Sequence, residues 1–420
     1  MTFNKAVSTN AEVVEAGDAG EEPFAIHELF YSRTDDRGVI QSGNGVFRRV
    51  SGFEWDHLVG APHRIVRHPD TPKAVFWLLW NHIQQGKSVG AYIKNRSASG
   101  RWYWVFAVIV PIGTGYVSAR IRPSTALLTQ IAAIYSDLAA EERTHAIPPE
   151  QSCHKLVARL QDLGFADYAN FMNHALVQET SERDATMGRS NPTLERALTT
   201  IQTSLRGTVD KQTALLTEFD ELQSIPTNMR IIASRLEPSG GPISAISDNY
   251  KFSSTEISRR LEAFAGSNSN LCQTMSKTVA DAMFQACVAR ILAELPQQFN
   301  SADRSDNPAD PTTEKAMLSK IEVSYLQAAR AAMIKAQLVS AELNLASGEI
   351  RRMMLGLDTI RVMGRVESGR LGASGVGLSS TIDQLDLRHA AIAEHLQGLM
   401  DLSSIVKSAV SACERQLVGG

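Results

Sequence analysis

The chain has 420 residues and a formal net charge of −3, with a sequence pI near 6.4. That length suits two or three domains, and the absence of a basic surplus argues against nucleic acid or an anionic membrane as the general partner. Cys153, Cys272, Cys287 and Cys413 are scattered, without CxxC spacing or a histidine partner, and read as small buried hydrophobes in a reducing compartment. The N-terminus lacks a basic segment followed by an apolar core, and the longest apolar runs, such as Val105 to Ile112, fall short of the ~20 residues a spanning helix needs. A soluble cytoplasmic protein is expected.

Residues 1–22 are polar and acidic and read as a flexible arm. From 23 to 123 the texture changes, and all five tryptophans lie there. Asp35-Asp36-Arg37-Gly38 signals a turn between strands Leu29–Arg33 and Val39–Ser42. Short helical pieces follow at Phe47–Val50 and Glu54–Val59. The stretch Val66-Arg67-His68-Pro69-Asp70-Thr71-Pro72 then sets a cation, an imidazole and a carboxylate on a proline-bounded, non-helical turn. An amphipathic helix over Lys73–Gln85 stops at Gly86. Strands are expected over Val89–Arg96, Arg101–Pro111 and Gly115–Arg122, with turns at Asn95–Gly100 and Gly113–Gly115.

The order β-β-α-α-α-β-β-β, together with Val50-Ser51-Gly52-Phe53, Gly60-Ala61-Pro62-His63, the Arg67-His68-Pro69-Asp70 turn, Lys94-Asn95-Arg96 and Tyr103-Trp104-Val105, resembles the flavin-binding PAS domain of bacterial aerotaxis receptors. The resemblance runs through about 95 residues and implies an antiparallel five-stranded sheet with helices on one face. It also implies FAD as cofactor, held by Arg67, His68, Asp70 and Asn95. Arg67 offers paired donors to a pyrophosphate, Asp70 accepts from a ribose hydroxyl or fixes Arg67, and Asn95 presents a donor and an acceptor to a ring edge. Trp104 and Trp77 are candidate walls for a flat ring, with core packing the competing reading. Thr71 stands where the family often carries methionine. Haem is the second cofactor reading, since His63, His68 or His82 can in principle ligate iron, but the paired turn and Lys94-Asn95-Arg96 motif favours flavin.

Residues 124–185 read as connector helices: Ala126–Ala139 leaves the last strand, 141–149 is a break, and Cys153–Gln178 is one further helical stretch. From 190 to 416 the chain is nearly all helical and low in aromatics. Leu194, Leu198, Ile201, Leu205, Leu215, Phe219 and Leu222 suggest a heptad register. So do Leu326, Ala329, Met333, Ala336, Ser340, Leu343, Ser347, Ile350, Met354 and Leu357. Leu378 to Cys413 keeps that register best, with His389 on the seam. Two turns interrupt the helices. The second, Val366-Glu367-Ser368-Gly369-Arg370-Leu371-Gly372-Ala373-Ser374-Gly375-Val376-Gly377, resembles the hairpin tip of methyl-accepting chemotaxis receptors. The resemblance makes Glu367, Arg370, Gly372, Gly375 and Gly377 the signalling tip. The first, near 237–242, is an eroded copy. Four antiparallel helices, about 192–236, 242–296, 314–370 and 377–416, are expected to close a bundle within one chain, with a solvated insert near 297–313.

The fold class expected is therefore an α+β PAS domain followed by an all-α antiparallel coiled-coil or four-helix bundle. No P-loop, kinase catalytic loop, GxSxG or HExxH is present, and the histidines do not cluster at ligand spacing, so no enzyme is expected and no metal site. The leading functional expectation is a sensor of redox, oxygen or energy state, with self-association and chemotaxis-type signalling proteins as partners. The alternative is a cofactor-free PAS adaptor acting through protein–protein contacts.

Overall fold

The computed structural model describes residues 20–236, 241–266, 270–299 and 310–417. Two compact units divide the chain, one comprising the residues up to Gly188 with Arg290–Glu322, the other Arg189–Ala289 with Val323–Gly420.

The first unit is built on a five-stranded antiparallel sheet: β1 (Phe30–Thr34), β2 (Ile40–Gly43), β3 (Val89–Arg96), β4 (Trp102–Pro111) and β5 (Tyr116–Ile121), in the order β2-β1-β5-β4-β3. The β1–β2 turn forms because the Asp35 carboxylate accepts from the backbone N–H of Arg37 at 2.9 Å and of Val39 at 2.8 Å. The β4–β5 turn requires glycine at 115, where φ is +143° and a Cβ would lie 2.0 Å from the Thr34 carbonyl oxygen. Between β2 and β3 run α1 (Gly45–Ser51), α2 (Trp55–Leu58), a short 3-10 turn (His63–Val66) and α3 (Lys73–Gln84). Asn44 anchors this passage. Its Oδ1 accepts from the N–H groups of Phe47 (3.1 Å) and Tyr31 (3.0 Å), and its Nδ2 donates to the Leu29 carbonyl (2.8 Å).

Strand register decides which side chains share a face. Asn95 pairs with Tyr103, while Ala107 and Phe30 flank Arg120, so Phe30, Ser32, Asn95, Tyr103 and Arg120 lie on one side. That side faces α1 and α3: Phe47 of α1 lies under the Arg120 guanidinium, and Trp80 of α3 sits edge-on to Tyr116 at 5.7 Å. The other side carries Tyr31, Tyr92, Lys94, Trp104 and Phe106.

Helices α4 (Ala126–Thr144), α5 (Pro149–Asp162) and α6 (Tyr168–Thr186) pack as part of this unit. Tyr135 of α4 lies against Trp104 and Phe171 of α6 against Tyr92. The expected break at 141–149 is shorter, because α4 runs on to Thr144. The expected single stretch Cys153–Gln178 is two helices. Gly164 at φ +91° ends α5, and the Asp167 side chain caps α6 by accepting from the Asn170 N–H at 2.8 Å. Residues from the far end of the chain complete the unit. Glu314 accepts from Arg33 (Nη2 at 2.8 Å) and from the Tyr31 hydroxyl on the outer side of β1.

The second unit is helical: α7 (Pro192–Arg235), α8 (Gly241–Ala265), the adjoining part of α9 (Leu271–Glu294), the greater part of α10 (Pro311–Leu371), and α11 (Val376–Leu417). The helix expected over 242–296 is interrupted between Gly266 and Asn270. There the Asn270 side chain donates to the Gly266 carbonyl and accepts from the Gln273 N–H, ending one helix and starting the next. Helices α7 and α8 are joined by Ser247 donating to the Pro226 carbonyl, and α8 and α10 by Arg260–Glu349. Ser340 and Ser403 join α10 to α11, and Arg388–Glu218 joins α11 to α7. Four helices thus close a bundle within one chain. The seam of α11 is as the heptad reading placed it, from Leu378 through His389 to Cys413, all buried. On α7 the seam departs from expectation. Ala197, Ser204, Thr208 and Gln212 are buried, whereas Leu198 and Leu205 stand beside it. Gln212 takes a seam position because its Nε2 donates to the Ala265 carbonyl at the end of α8, at 2.6 Å.

Residues 1–19 of the expected arm, 237–240 of the first tip and 300–309 of the insert lie outside the described residues. At the second tip α10 ends at Leu371, a 3-10 turn spans Gly372–Gly375, and α11 begins at Val376. Gly372 adopts φ +51°. A Cβ on Gly375 would lie 2.6 Å from the Ser368 carbonyl oxygen. Glu367 and Arg370 form an ion pair at 3.4 Å, and Gly377 is the second residue of α11.

Candidate functional site

Strand β3 is an edge of the sheet, and the proline turn extends it. Arg67 forms an antiparallel bridge with Asn95, and the His68 N–H donates to the Lys94 carbonyl at 3.3 Å. Thr71 pins the turn from the other end. Its hydroxyl donates to the Lys94 carbonyl at 2.8 Å and accepts from the Lys94 N–H at 3.1 Å. It is 1% exposed, so a polar residue here serves the backbone.

This arrangement brings the sequence candidates together in two sets. Directly opposed residues share a face, so Arg67 and Asn95 stand on the inner side, which α1 and α3 cover. The Arg67 guanidinium lies 3.9 Å from the centre of the Phe76 ring and donates to the Thr71 carbonyl at 3.4 Å. Burial lowers its affinity for its proton, and the charge of Glu142 offsets part of that. Glu142 reaches over from α4 to accept from the N–H groups of Lys73 (2.8 Å) and Ala74 (3.1 Å). It thereby caps α3, whose own N-cap, Pro72, supplies no side-chain bond.

The second set is His68, Asp70 and Lys94. Lys94 Nζ donates to Asp70 at 2.8 Å, and the Asp70 N–H donates to His68 Nδ1 at 3.1 Å. Burial would raise the Asp70 carboxyl, but the Lys94 ammonium outweighs it and holds the group below the usual carboxylate range. His68 is pushed down to about 4, by burial first and then by Lys94. It is a neutral imidazole whose Nδ1 accepts from the backbone.

One expectation is corrected. Trp104 pairs with Lys94, not with Asn95. The two-residue period of the strand therefore puts it on the outer side, against Tyr135 of α4 at 6.1 Å. It cannot wall a ring that Asn95 contacts. Trp77 is half-buried on α3, and Trp80 of the same helix lies beside Tyr116 and Gly38.

The structure also brings forward a cluster the sequence reading did not single out. Arg120 is 3% exposed on the inner side. Its Nη2 donates to Ser32 Oγ at 2.7 Å and to His63 Nε2, and its guanidinium lies 5.2 Å from the centre of the Phe47 ring. Burial, and then the Arg120 charge, push His63 down to about 3, so it accepts as a neutral ring. Arg120 Nη1 and the Tyr103 hydroxyl are buried without a partner among the described residues. The Asn95 carboxamide, on the same side and 4% exposed, also makes no side-chain hydrogen bond among them. Buried polar groups are ordinarily satisfied. Two donors and an amide left open on one face, beside the stacked rings of Phe30 and Tyr103 at 5.7 Å, fit a flat heteroaromatic ring whose edge carries carbonyl oxygens and ring nitrogens. That is the chemistry of an isoalloxazine. On the outer side Tyr92, Ser124 and Thr125 all bond Glu179, while the Tyr135 and Ser42 hydroxyls are buried without a partner among the described residues.

Comparison with known proteins bears on the fold of this region. A family model described as PAS fold matches residues 42–118. This part of the chain is a PAS domain. The aerotaxis receptor of Escherichia coli (strain K12) is 36% identical over 123 residues, which make up 28% of this chain and 24% of the receptor. The matched stretch thus spans about a quarter of that relative's length, and within it the PAS domain is of the aerotaxis-receptor type. Among the described residues, no helix is long and apolar enough to cross a membrane.

Proposed function

We propose that the chain is a cytoplasmic, non-enzymatic signal-transduction protein that senses redox, oxygen or energy state through FAD held by its PAS domain. The observation that carries this reading is the set of unsatisfied polar groups on the inner side of the sheet, in a domain similar to that of an aerotaxis receptor. FAD supplies a ring that changes charge and hydrogen bonding when it gains or loses electrons. Asn95 orients the ring edge with one donor and one acceptor. Arg67 stands ready for a phosphate oxygen, and Asp70 and Lys94 fix the turn that presents it.

A change at Asn95 is felt across the sheet. Tyr92, three residues away on the same strand, donates to Glu179 at 2.7 Å. Glu179 also accepts from the N–H groups of Ser124 and Thr125, where β5 passes into α4. One carboxylate thus joins the sensing strand, the exit of the last strand and α6, and we assign it the coupling role. The output is read by the helical bundle and its tip at Glu367, Arg370, Gly372, Gly375 and Gly377, with self-association or a chemotaxis-type signalling protein as the downstream contact.

The adaptor reading draws on a separate observation. Leu338, Leu345, Leu355 and Val366 on α10 are each more than half exposed, an apolar surface for a protein partner. Alanine substitutions test which reading holds. On the sensor reading, Arg67→Ala and Asn95→Ala lower flavin occupancy after reconstitution. A protein that takes up no FAD and keeps its cellular output with both substitutions leaves the adaptor reading.

A further inference from the structure

Arg120 is an unusual residue for the middle of a domain core. A guanidinium does not give up its proton, and buried charges are ordinarily paired. Arg120 has no carboxylate within ion-pair reach among the described residues. Its neighbours Ser32 and His63 are neutral acceptors that engage only Nη2, and Phe47 offers a ring face. Nη1 remains open on the inner side, near the Tyr103 hydroxyl, which is open too. Such an arrangement contributes little to stability, since an unpaired buried cation is ordinarily matched or bettered by an apolar side chain of similar volume. A ligand acceptor gives it a partner.

We propose that Arg120 is the cation that receives the carbonyl-bearing edge of the bound flavin ring, with the Tyr103 hydroxyl beside it, and so favours the ring's reduced, negatively charged form. The inference rests on the FAD reading above and adds to it the residue that sets the potential. When dithionite reduces the ring, two electrons and one proton move onto it. The proton goes to N5, and the negative charge rests along the N1–C2 carbonyl edge. The dithionite takes up two waters and leaves as two bisulfites and two protons, one of which balances N5 while the other enters the buffer. A fixed positive charge at that edge stabilises the reduced ring more than the oxidised one. His63 and Ser32 act through Arg120: they hold its Nη2, and thereby aim Nη1.

The test is a dithionite titration of the FAD-reconstituted full chain, as wild type, Arg120→Met and Arg120→Lys, with circular dichroism as the check on folding. Arg120→Met is expected to stay folded and to lose about tenfold in its preference for the reduced ring, which lowers the midpoint potential by about 30 mV for a two-electron couple. Arg120→Lys keeps the charge with a different reach and is expected to fall between. Should Arg120→Met not fold, the potential of Arg120→Lys decides, a value equal to wild type counting against the proposal. Flavin-loaded Arg120→Met with unchanged potential and affinity would overturn the assignment of Arg120 and leave the FAD reading standing. A wild-type protein that takes up no flavin would overturn both.

Discussion

Replacing Glu179 by alanine removes the acceptor of four hydrogen bonds at once: from the Tyr92 hydroxyl at 2.7 Å, the Ser124 N–H at 2.7 Å, the Thr125 N–H at 3.3 Å and the Thr125 hydroxyl at 2.6 Å. The residue is 0% exposed, so water does not readily substitute. Bonds to a charged acceptor contribute about 1.5–3 kcal/mol each, and the orphaned donors partly relax, so a net loss of about 3–5 kcal/mol is expected. Glu179→Gln keeps the shape and one acceptor oxygen, and is expected to lose about 1–2 kcal/mol. All five tryptophans lie between Trp55 and Trp104, so tryptophan fluorescence during urea unfolding of the full chain reports on the sheet-containing unit. With a urea m-value of about 3 kcal/mol per molar, Glu179→Ala moves the midpoint down by roughly 1–1.7 M. A midpoint within about 0.2 M of wild type would refute the reasoning that this carboxylate joins β3 to the start of α4.

Other expectations follow from the same structure. His63 and His68 are held near 3 and 4 by burial and by neighbouring cations, whereas in the unfolded chain each takes up its proton near the ordinary 6.5. Between those values the unfolded state binds more protons, so stability falls as pH drops below about 6.5, by up to about 1.4 kcal/mol per pH unit for each histidine. His63→Gln is expected to flatten that slope in urea titrations run from pH 7 to pH 4, and an unchanged slope would contradict it. At the tip, Gly375→Ala forces a Cβ against the Ser368 carbonyl and is expected to lose about 1–3 kcal/mol, whereas Gly369→Ala meets nothing within 4 Å and is expected to be neutral or slightly stabilising. Thermal melts followed by circular dichroism compare the two, and equal melting temperatures would argue against the turn geometry. Glu314→Ala strips Arg33 and Tyr31 of their shared acceptor and is expected to lose about 3–5 kcal/mol, read by the same tryptophan signal.

The strands of the PAS domain were legible in the sequence because turn residues and apolar runs bound them closely; Val89–Arg96 has the limits its pattern suggested. The long seam of α11 was legible for the same kind of reason, since a seven-residue repeat held over many turns has no other simple use. What escaped was set by register and by distant chain. Trp104 looked like a pocket wall because it adjoins Tyr103, but adjacent strand residues face opposite ways, and only the pairing with Lys94 tells which way. Arg120 carried no signal. Val117, Ala119 and Ile121 alternate with Ser118 and Arg120 as they do in a strand with one wet face, yet both faces of this sheet are covered. Glu314 lies 281 residues from Arg33, and Glu142 caps a helix that begins 69 residues earlier, so neither partnership has a local signature. The polar seam at Ser204, Thr208 and Gln212 was hidden by Leu198 and Leu205, which fit a heptad equally well on paper.

The central claim is that the inner side of the sheet, with Asn95, Tyr103 and Arg120 left open, holds a flavin. The most direct measurement is the visible absorption spectrum of the gently purified full chain, before and after incubation with FAD and removal of the excess. A flavin in the site gives bands in the blue and near ultraviolet that stay with the protein and weaken in Asn95→Ala. A colourless protein after reconstitution, or a Soret band in place of the flavin bands, would contradict the claim.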